Sequence, residues 1–183
     1  IPVQHCGDQW LTALPEIGKP NRRVTDAVQR VFDILASSIL LILTGPLFPV
    51  IALLIKLDAP GPVFYRQRRL GRWGTLFWVT KFRSMTQHAE RNGAVWATKH
   101  DSRITRLGRF LRKTRIDELP QLWNVLRGEM SIIGPRPERP EFTEDLEKTI
   151  PFFRARLMVK PGLTGWAQVN YGYGSSIEDA LAK

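Results

Sequence analysis

Twenty-two consecutive residues, Ile34 to Ile55, carry no charge, and no other stretch constrains the fold as much. As one straight helix the run would extend about 33 Å, enough to cross a bilayer core. Its middle, however, reads Thr44-Gly45-Pro46-Leu47-Phe48-Pro49. Each proline removes a backbone donor and clashes with the carbonyl four residues back. Both flanks are basic: Arg22, Arg23 and Arg30 precede the run, and Lys56, Arg66, Arg68, Arg69 and Arg72 follow it. Positive flanks stay on the cytoplasmic side, which suits two arms of roughly 10 residues, about 15 Å each, that enter the bilayer and turn back. Ser37, Ser38 or Thr44 would then satisfy carbonyls freed at the bend. On residues alone, a proline-kinked spanning helix and a buried core hairpin remain the alternatives.

Charge narrows the partners. With 27 Lys and Arg against 17 Asp and Glu, the formal net charge is +10. That implies a polyanion: nucleic acid, anionic lipid or a phosphorylated substrate. The 183 residues suit one domain with a core. A single cysteine, Cys6, rules out an internal disulfide framework and fits a reducing compartment. His5, His88 and His100 are scattered without metal-ligand spacing, which argues against zinc. The chain opens Ile1-Pro2 with no cationic stretch ahead of an apolar one, so it reads as a segment of something longer. Residues 1–20, with Gly7, Pro15, Gly18 and Pro20, read as a linker or the tail of an upstream module.

Beyond the apolar run, Pro60-Gly61-Pro62 ends the helical part. Val63–Gln67 and Thr75–Arg83 then alternate as strands around a turn at Gly71-Arg72-Trp73-Gly74, with a helix upstream starting near Asn21 or Thr25. Alternation places Leu76, Trp78, Thr80 and Phe82 on one face of the second strand, Lys81 and Arg83 on the other. No acid occurs from Ala59 to Ala89, so this hairpin offers unneutralised positive charge to phosphate or to lipid headgroups. Arg103–Thr114 reads as a basic amphipathic helix with Ile104, Leu107 and Leu111 as its apolar stripe. It lies at a membrane interface, on an anionic partner, or with its basic face in solvent. Leu119–Arg127 is a further short helix stopped by Gly128, and Glu141–Lys148 an acidic one. The fold class expected is α+β, mostly helical, with a small β-hairpin.

The chemistry concentrates at Asp117-Glu118. Two adjacent carboxylates follow a run in which Lys99 to Arg115 holds seven Lys or Arg and one acid, Asp101. The plain reading makes Asp117 a helix N-cap and Glu118 a first-turn acid. The functional reading uses the same place: a helix N-terminus with Arg112, Lys113 and Arg115 nearby favours an ionised carboxylate, able to act as nucleophile or to hold Mg²⁺. Arg136 sits in Gly134-Pro135-Arg136-Pro137, where flanking prolines stiffen the backbone and lower the entropic cost of docking on phosphate. It is otherwise an arginine on a rigid turn.

Several strings, taken in order, resemble the bacterial sugar transferases, the monotopic phosphoglycosyl transferases. They are the apolar run with its central proline, Lys81-Phe82-Arg83-Ser84-Met85, Arg112-Lys113-Thr114, Asp117-Glu118-Leu119-Pro120-Gln121-Leu122, Gly128-Glu129-Met130-Ser131, Gly134-Pro135-Arg136-Pro137, and Lys160-Pro161-Gly162-Leu163-Thr164-Gly165-Trp166-Ala167-Gln168-Val169-Asn170. The resemblance implies a catalytic domain over 21–183 with a re-entrant membrane hairpin at 30–56. It implies transfer of a sugar 1-phosphate from a UDP-sugar to undecaprenyl or another polyprenyl phosphate, with release of UMP, to begin exopolysaccharide, capsule or O-antigen assembly. By that resemblance Asp117 is the nucleophile, Glu118 its partner, both hold Mg²⁺, and Lys81, Arg83, Arg112 and Arg136 contact phosphates. The implied site is the cytoplasmic face of the bacterial inner membrane. Membrane lipids join the two substrates as partners, a homodimer is compatible, and nucleic acid is not expected. The chain stops at Ala180-Leu181-Ala182-Lys183, where the family continues, so the domain is expected to be C-terminally incomplete. The competing reading is a membrane-tethered basic nucleic-acid-binding module using Trp73, Trp78 and Trp96. It leaves the uncharged run and the carboxylate pair without a role.

Overall fold

A computed structural model describes residues 22–87, 89, 90, 93, 101–150 and 152–170. The expectations for residues 1–20, the three histidines, Trp96 and the chain end lie outside the described residues. The elements in order are α1 (Arg22–Thr44), α2 (Leu47–Asp58), β1 (Phe64–Leu70), β2 (Leu76–Phe82), α3 (Arg106–Thr114), a 3-10 segment Ile116–Gln121 running into α4 (Leu122–Arg127), β3 (Ser131–Ile133), α5 (Pro140–Thr149), a second 3-10 segment Phe153–Met158, β4 (Gly162–Thr164) and α6 (Trp166–Asn170). The described chain is mostly helical, as expected.

The apolar run breaks where its sequence says it must. Thr44 Oγ1 donates to Leu40 O at 2.6 Å, and Gly45 N to Leu41 O at 2.7 Å. A Cβ at position 45 would stand 2.8 Å from Leu41 O, so only glycine fits there. Pro46 caps α2 and Pro49 falls in its first turn, where backbone donors have no intrahelical partner to lose. By length and composition α1 alone could cross a membrane. The two arms pack on different elements, α1 on α4 and β3, α2 on α3. Both α3 and α4 contact the 3-10 segment Ile116–Gln121, so the two ends of the run return to one body. Between them Ile39, Ile42, Leu43, Leu47 and Val50 stay exposed.

Polar side chains tie α1 to that body. Buried Asp33 accepts from Ser131 Oγ and from the Ile132 N–H, both at 2.9 Å. Arg30 donates to Val125 O at 2.6 Å and to Leu126 O at 2.5 Å, placing a cation on the last carbonyls of α4. These contacts reach across about a hundred residues and fix α1 against the strand that leads into Gly134-Pro135-Arg136.

Two apolar clusters form the core. Ile51 and Ile55 of α2 meet Phe82 and Leu111, with Leu107, Ile116 and Leu119 around them. Phe82 also packs edge-on to Phe48 at 5.0 Å and stacks on Phe64 at 5.3 Å. Phe77 and Val79 of β2 meet Val125 and Met130. The strands β1 and β2 pair antiparallel with Tyr65 opposite Lys81, Gln67 opposite Val79 and Arg69 opposite Phe77. Leu76 and Trp78 face outward. A second sheet, with β3 and β4 paired in parallel, joins Ser131 to Gly162 and Ile133 to Thr164.

Three local expectations change. The basic helix starts at Arg106, not Arg103: Thr105 caps it by accepting from the Gly108 N–H at 3.0 Å. Asp101 holds the Arg103 N–H at 2.9 Å, and Ile104 bridges to Met85, leaving Leu107 and Leu111 to pack on α2. Asp117 is not an N-cap. Arg115, left-handed at φ 60°, restarts the helix, so Asp117 and Glu118 lie within the first turn of the 3-10 segment. Pro120 has no N–H to offer an α-type bond, and the segment winds tighter. Arg83 leaves the alternation of β2, which ends at Phe82.

Candidate active site

The strained turn at Arg115 fixes the site. A non-glycine residue in the left-handed region costs on the order of 1 kcal/mol. It reverses the chain after α3 so that Asp117 and Glu118, both 6% exposed, face β2. Glu118 Oε1 there receives Lys81 Nζ at 2.8 Å, Arg136 Nη2 at 3.2 Å and Arg115 Nη1 at 3.8 Å. Three elements thus deliver one cation each to a single carboxylate oxygen. Burial pushes the Glu118 carboxyl up, but Lys81 and Arg136 outweigh it and hold it at about 2. The same burial pushes the Lys81 ammonium down, opposed by Glu118 and reinforced by Arg136 and Arg69. For Asp117, burial raises the carboxyl above its ordinary value, while Lys81, Arg112 and Arg115 pull it back. Its Oδ1 is sealed and has no hydrogen-bond partner among the described residues. Of two neighbouring carboxylates, one is neutralised by a cage of cations, and the other sits beside them without a direct bond.

Among the described residues no three His, Cys, Asp or Glu side chains converge on a metal site. The pair nevertheless fits Mg²⁺, which takes one or two protein carboxylates and completes its shell with phosphate oxygens and water. The cations on Glu118 converge on Oε1, and Asp117 Oδ1 has no partner among the described residues. Oxygen-only ligands beside arginines and a lysine are the donor set of a phosphate-bound divalent cation rather than of zinc.

The family model described as bacterial sugar transferase matches residues 24–182. The chain belongs to that family. A protein of Aeromonas hydrophila named UDP-N-acetylgalactosamine-undecaprenyl-phosphate N-acetylgalactosaminephosphotransferase is 48% identical over 156 residues, covering 85% of this chain and 37% of its own length. A Bacillus subtilis protein named putative undecaprenyl-phosphate N-acetylgalactosaminyl 1-phosphate transferase is 54% identical over 131 residues, covering 72% of this chain and 73% of its own. A Xanthomonas campestris protein named UDP-glucose:undecaprenyl-phosphate glucose-1-phosphate transferase is 51% identical over 134 residues, covering 73% of this chain and 28% of its own. The chain therefore spans a minor part of two of these relatives and most of the third.

In this sugar transferase domain, Asp117, Glu118, Lys81 and Arg136 come together, and Arg112 lies close enough to act on Asp117. Arg83 does not join them. Its guanidinium donates to Pro60 O and Ala59 O at 2.5 Å and to Ile55 O at 3.2 Å, closing the C-terminal end of α2.

Several supporting residues escaped the sequence reading. Arg115, expected near the carboxylates, is not among them: it joins Glu118 directly. Buried Asn124 accepts from the Thr80 N–H at 3.3 Å and donates to Trp78 O at 2.7 Å and Glu129 Oε2 at 2.6 Å, stapling the strand that carries Lys81 to α4. The one signal for it is a polar residue inside the otherwise apolar Leu122-Trp123-Asn124-Val125-Leu126. Arg69 donates to Pro137 O at 3.0 Å, and Arg156 to Arg136 O at 3.0 Å, holding the backbone on either side of the Arg136–Pro137 bond. Gly162 N donates to Pro135 O at 2.8 Å, and a Cβ at Gly162 would strike Gly134, so the Gly-Pro-Arg-Pro loop rests directly on β4. Glu90, the first acid after the basic hairpin, turns back to accept from Tyr65 at 3.0 Å and Arg139 at 2.8 Å.

Proposed function

We propose that this domain transfers a sugar 1-phosphate from a UDP-sugar to undecaprenyl phosphate, through a phosphosugar bound covalently to Asp117. The observation that carries the reading is a buried carboxylate, unpaired at Oδ1 among the described residues, set beside a second one caged by Lys81, Arg136 and Arg115. The names of the relatives supply the substrate classes. In the first step an Asp117 oxygen attacks the donor's β-phosphorus. The bond from that phosphorus to the bridging oxygen breaks, and UMP leaves with the electron pair. In the second step a phosphate oxygen of the lipid attacks the same phosphorus, the bond to Asp117 breaks, and the carboxylate is restored. Two displacements let donor and acceptor phosphates use one cationic pocket in turn. Lys81, Arg112 and Arg136 bind and orient the phosphates, and fixed cations in a partly desolvated site stabilise the leaving charge. Mg²⁺, held by Asp117 and Glu118, would offset diphosphate charge when bound.

The apolar run is read here as a re-entrant hairpin at the cytoplasmic face. Supporting this, its basic ends both pack on the catalytic body, and its exposed apolar middle is the part left for lipid. Exposed Arg106, Arg109, Phe110 and Lys113 on α3 would meet anionic headgroups, where the acceptor phosphate lies while its tail stays in the bilayer. Two relatives of similar identity name different sugars, N-acetylgalactosamine and glucose, so the hexose is to be found by assay. The test is UMP release by the full-length protein over a panel of UDP-sugars. Asp117→Asn should abolish it and leave membrane association intact; normal turnover by that variant would end the nucleophile assignment. Single cysteines at Val28 and Leu57 should be labelled from the same face, and labelling from opposite faces would exclude the hairpin.

A further inference from the structure

Arg136 stands on a loop between β3 and α5, outside any helix or strand. Four consecutive carbonyls of that loop are nonetheless each taken by a different donor. Pro135 O accepts from Gly162 N at 2.8 Å and Arg136 O from Arg156 at 3.0 Å. Pro137 O accepts from Arg69 Nη1 at 3.0 Å and Glu138 O from Leu70 N at 3.0 Å. Gly134 N donates to Thr164 O at 2.9 Å, while Pro135 and Pro137 have no N–H to satisfy. Connecting loops are ordinarily the mobile part of a fold. This one is pinned at every carbonyl from Pro135 to Glu138. Arg136 reaches from it to Glu118 Oε1 at 3.2 Å, so whatever holds the loop also aims a cation of the site.

Of the four donors, Arg69 is the unusual one. Gly162 and Leu70 give backbone N–H groups, and Arg156 also pairs with the Glu138 carboxylate at 3.6 Å. Arg69 instead bonds two neutral oxygens, Pro137 O and, at 2.5 Å, Gln67 Oε1. On β1 it follows Tyr65 and Gln67 on one face, and Tyr65 stands opposite Lys81, so Arg69 and Lys81 share a face of the hairpin. Burial pushes the Arg69 guanidinium down to about 10, Arg136 pushes it the same way, and Glu138 opposes them. A neutral donor would hold Pro137 O without the cost of burying a charge beside Lys81 and Arg136. A diphosphate bound among these cations would offset that repulsion.

We infer that Arg69 is the positioning residue of Arg136: by holding Pro137 O it fixes the adjoining peptide, so that the Arg136 guanidinium enters the phosphate site already aimed. This rests on the reading of Arg136 as a phosphate-binding residue made above. One guanidinium spans Gln67 on its own strand and Pro137 on the loop, which references the loop to the hairpin. The hairpin then sets two of the cations on Glu118, Lys81 directly and Arg136 through Arg69. An arginine aimed in advance loses less freedom when the donor's phosphates arrive, and more of the bound complexes are aligned for transfer.

The test is a double-mutant cycle in the full-length protein, read as kcat/KM for UMP release from a UDP-sugar, well below each variant's melting temperature. Arg69→Met should lower kcat/KM about tenfold, and Arg136→Met at least as far. The double variant should match Arg136→Met within about twofold, because a side chain already removed cannot be misaimed further. Losses that multiply would overturn the inference, since Arg69 would then act independently of Arg136. So would a kcat/KM in Arg69→Met within about twofold of the unmodified protein. If Arg69→Met does not fold, the cycle is run with Arg69→Lys, which keeps the cation but has no fork to serve Gln67 Oε1 and Pro137 O together. A fall of about threefold that disappears in the Arg136→Met background is then expected, and the same two results overturn the inference. Normal kcat/KM in Arg136→Met would remove the phosphate role of Arg136 and the inference with it. Absence of UMP release from every UDP-sugar by the unmodified protein would instead end the proposed reaction, and with it any donor for Arg136 to meet.

Discussion

Replacing Arg83 by methionine separates a structural arginine from a substrate-binding one. The side chain is 6% exposed, and its guanidinium meets three carbonyls, those of Ile55, Ala59 and Pro60. Ile55 O, in the last turn of α2, also accepts from the Ala59 N–H, whereas Ala59 and Pro60 lie just past the helix, where carbonyls lack intrahelical donors. Gly61, at φ +121°, brings the chain so close that a Cβ there would collide with Arg83 Nη1. A hydrogen bond from a charged donor contributes about 1.5–3 kcal/mol, and three that share one donor group are not additive, so the loss should be about 4 kcal/mol. For a chain of this size that corresponds to a melting temperature lower by about 12 °C. Thermal unfolding in detergent measures it, alongside KM for the UDP-sugar well below the transition. KM should stay within about twofold, because the guanidinium lies outside the cage around Glu118. A melting temperature within about 2 °C of the unmodified protein, together with a KM raised about tenfold, would refute the reasoning and return Arg83 to the phosphates.

Asp33→Ala should cost about 2–4 kcal/mol by leaving the buried Ser131 hydroxyl and Ile132 N–H unpaired, and Arg136, three residues past β3, should then bind donor less well; denaturation and KM together check this. Glu118→Gln should lower stability by about 3 kcal/mol at neutral pH, the free energy of a carboxyl moved from 4.5 to about 2. Because the folded value is depressed, that stabilisation is present above pH 4.5 and fades as pH falls towards 2, so the gap between the two proteins should close across that window; a constant gap would count against the cation cage. Gly108→Ala should destabilise strongly, since its Cβ would press into the Ser84 carbonyl and force α3 off the segment that follows β2; a neutral melting temperature would contradict that contact.

Local chemistry was legible in the sequence and long-range geometry was not. Gly45 and Pro46 break the apolar run wherever the chain goes, because a missing Cβ and a missing donor act on adjacent residues, while Pro49 fits the first turn of α2. The hairpin could be read from alternation, to within a few residues at each strand end. Arg83 could not: its partners lie over twenty residues back, and alternation says nothing once β2 stops at Phe82. Asp117 as an N-cap failed for a similar reason, since a left-handed Arg115 carries no sequence mark. The parallel pairing of β3 and β4 joins two three-residue strands about thirty residues apart, too short for any periodicity. Lys81 and Arg136 entered as isolated cations, and only folding brings both to the same oxygen of Glu118.

The whole account stands on a covalent bond between Asp117 and the transferred phosphosugar. Rapid quench of the full-length protein with a UDP-sugar and no lipid acceptor, followed by intact mass measurement, reads that bond directly. One added sugar phosphate per chain, located at Asp117, chased by undecaprenyl phosphate and missing from Asp117→Asn, is the predicted result. Transfer to lipid proceeding at full rate with an unmodified polypeptide at every quench time would contradict it.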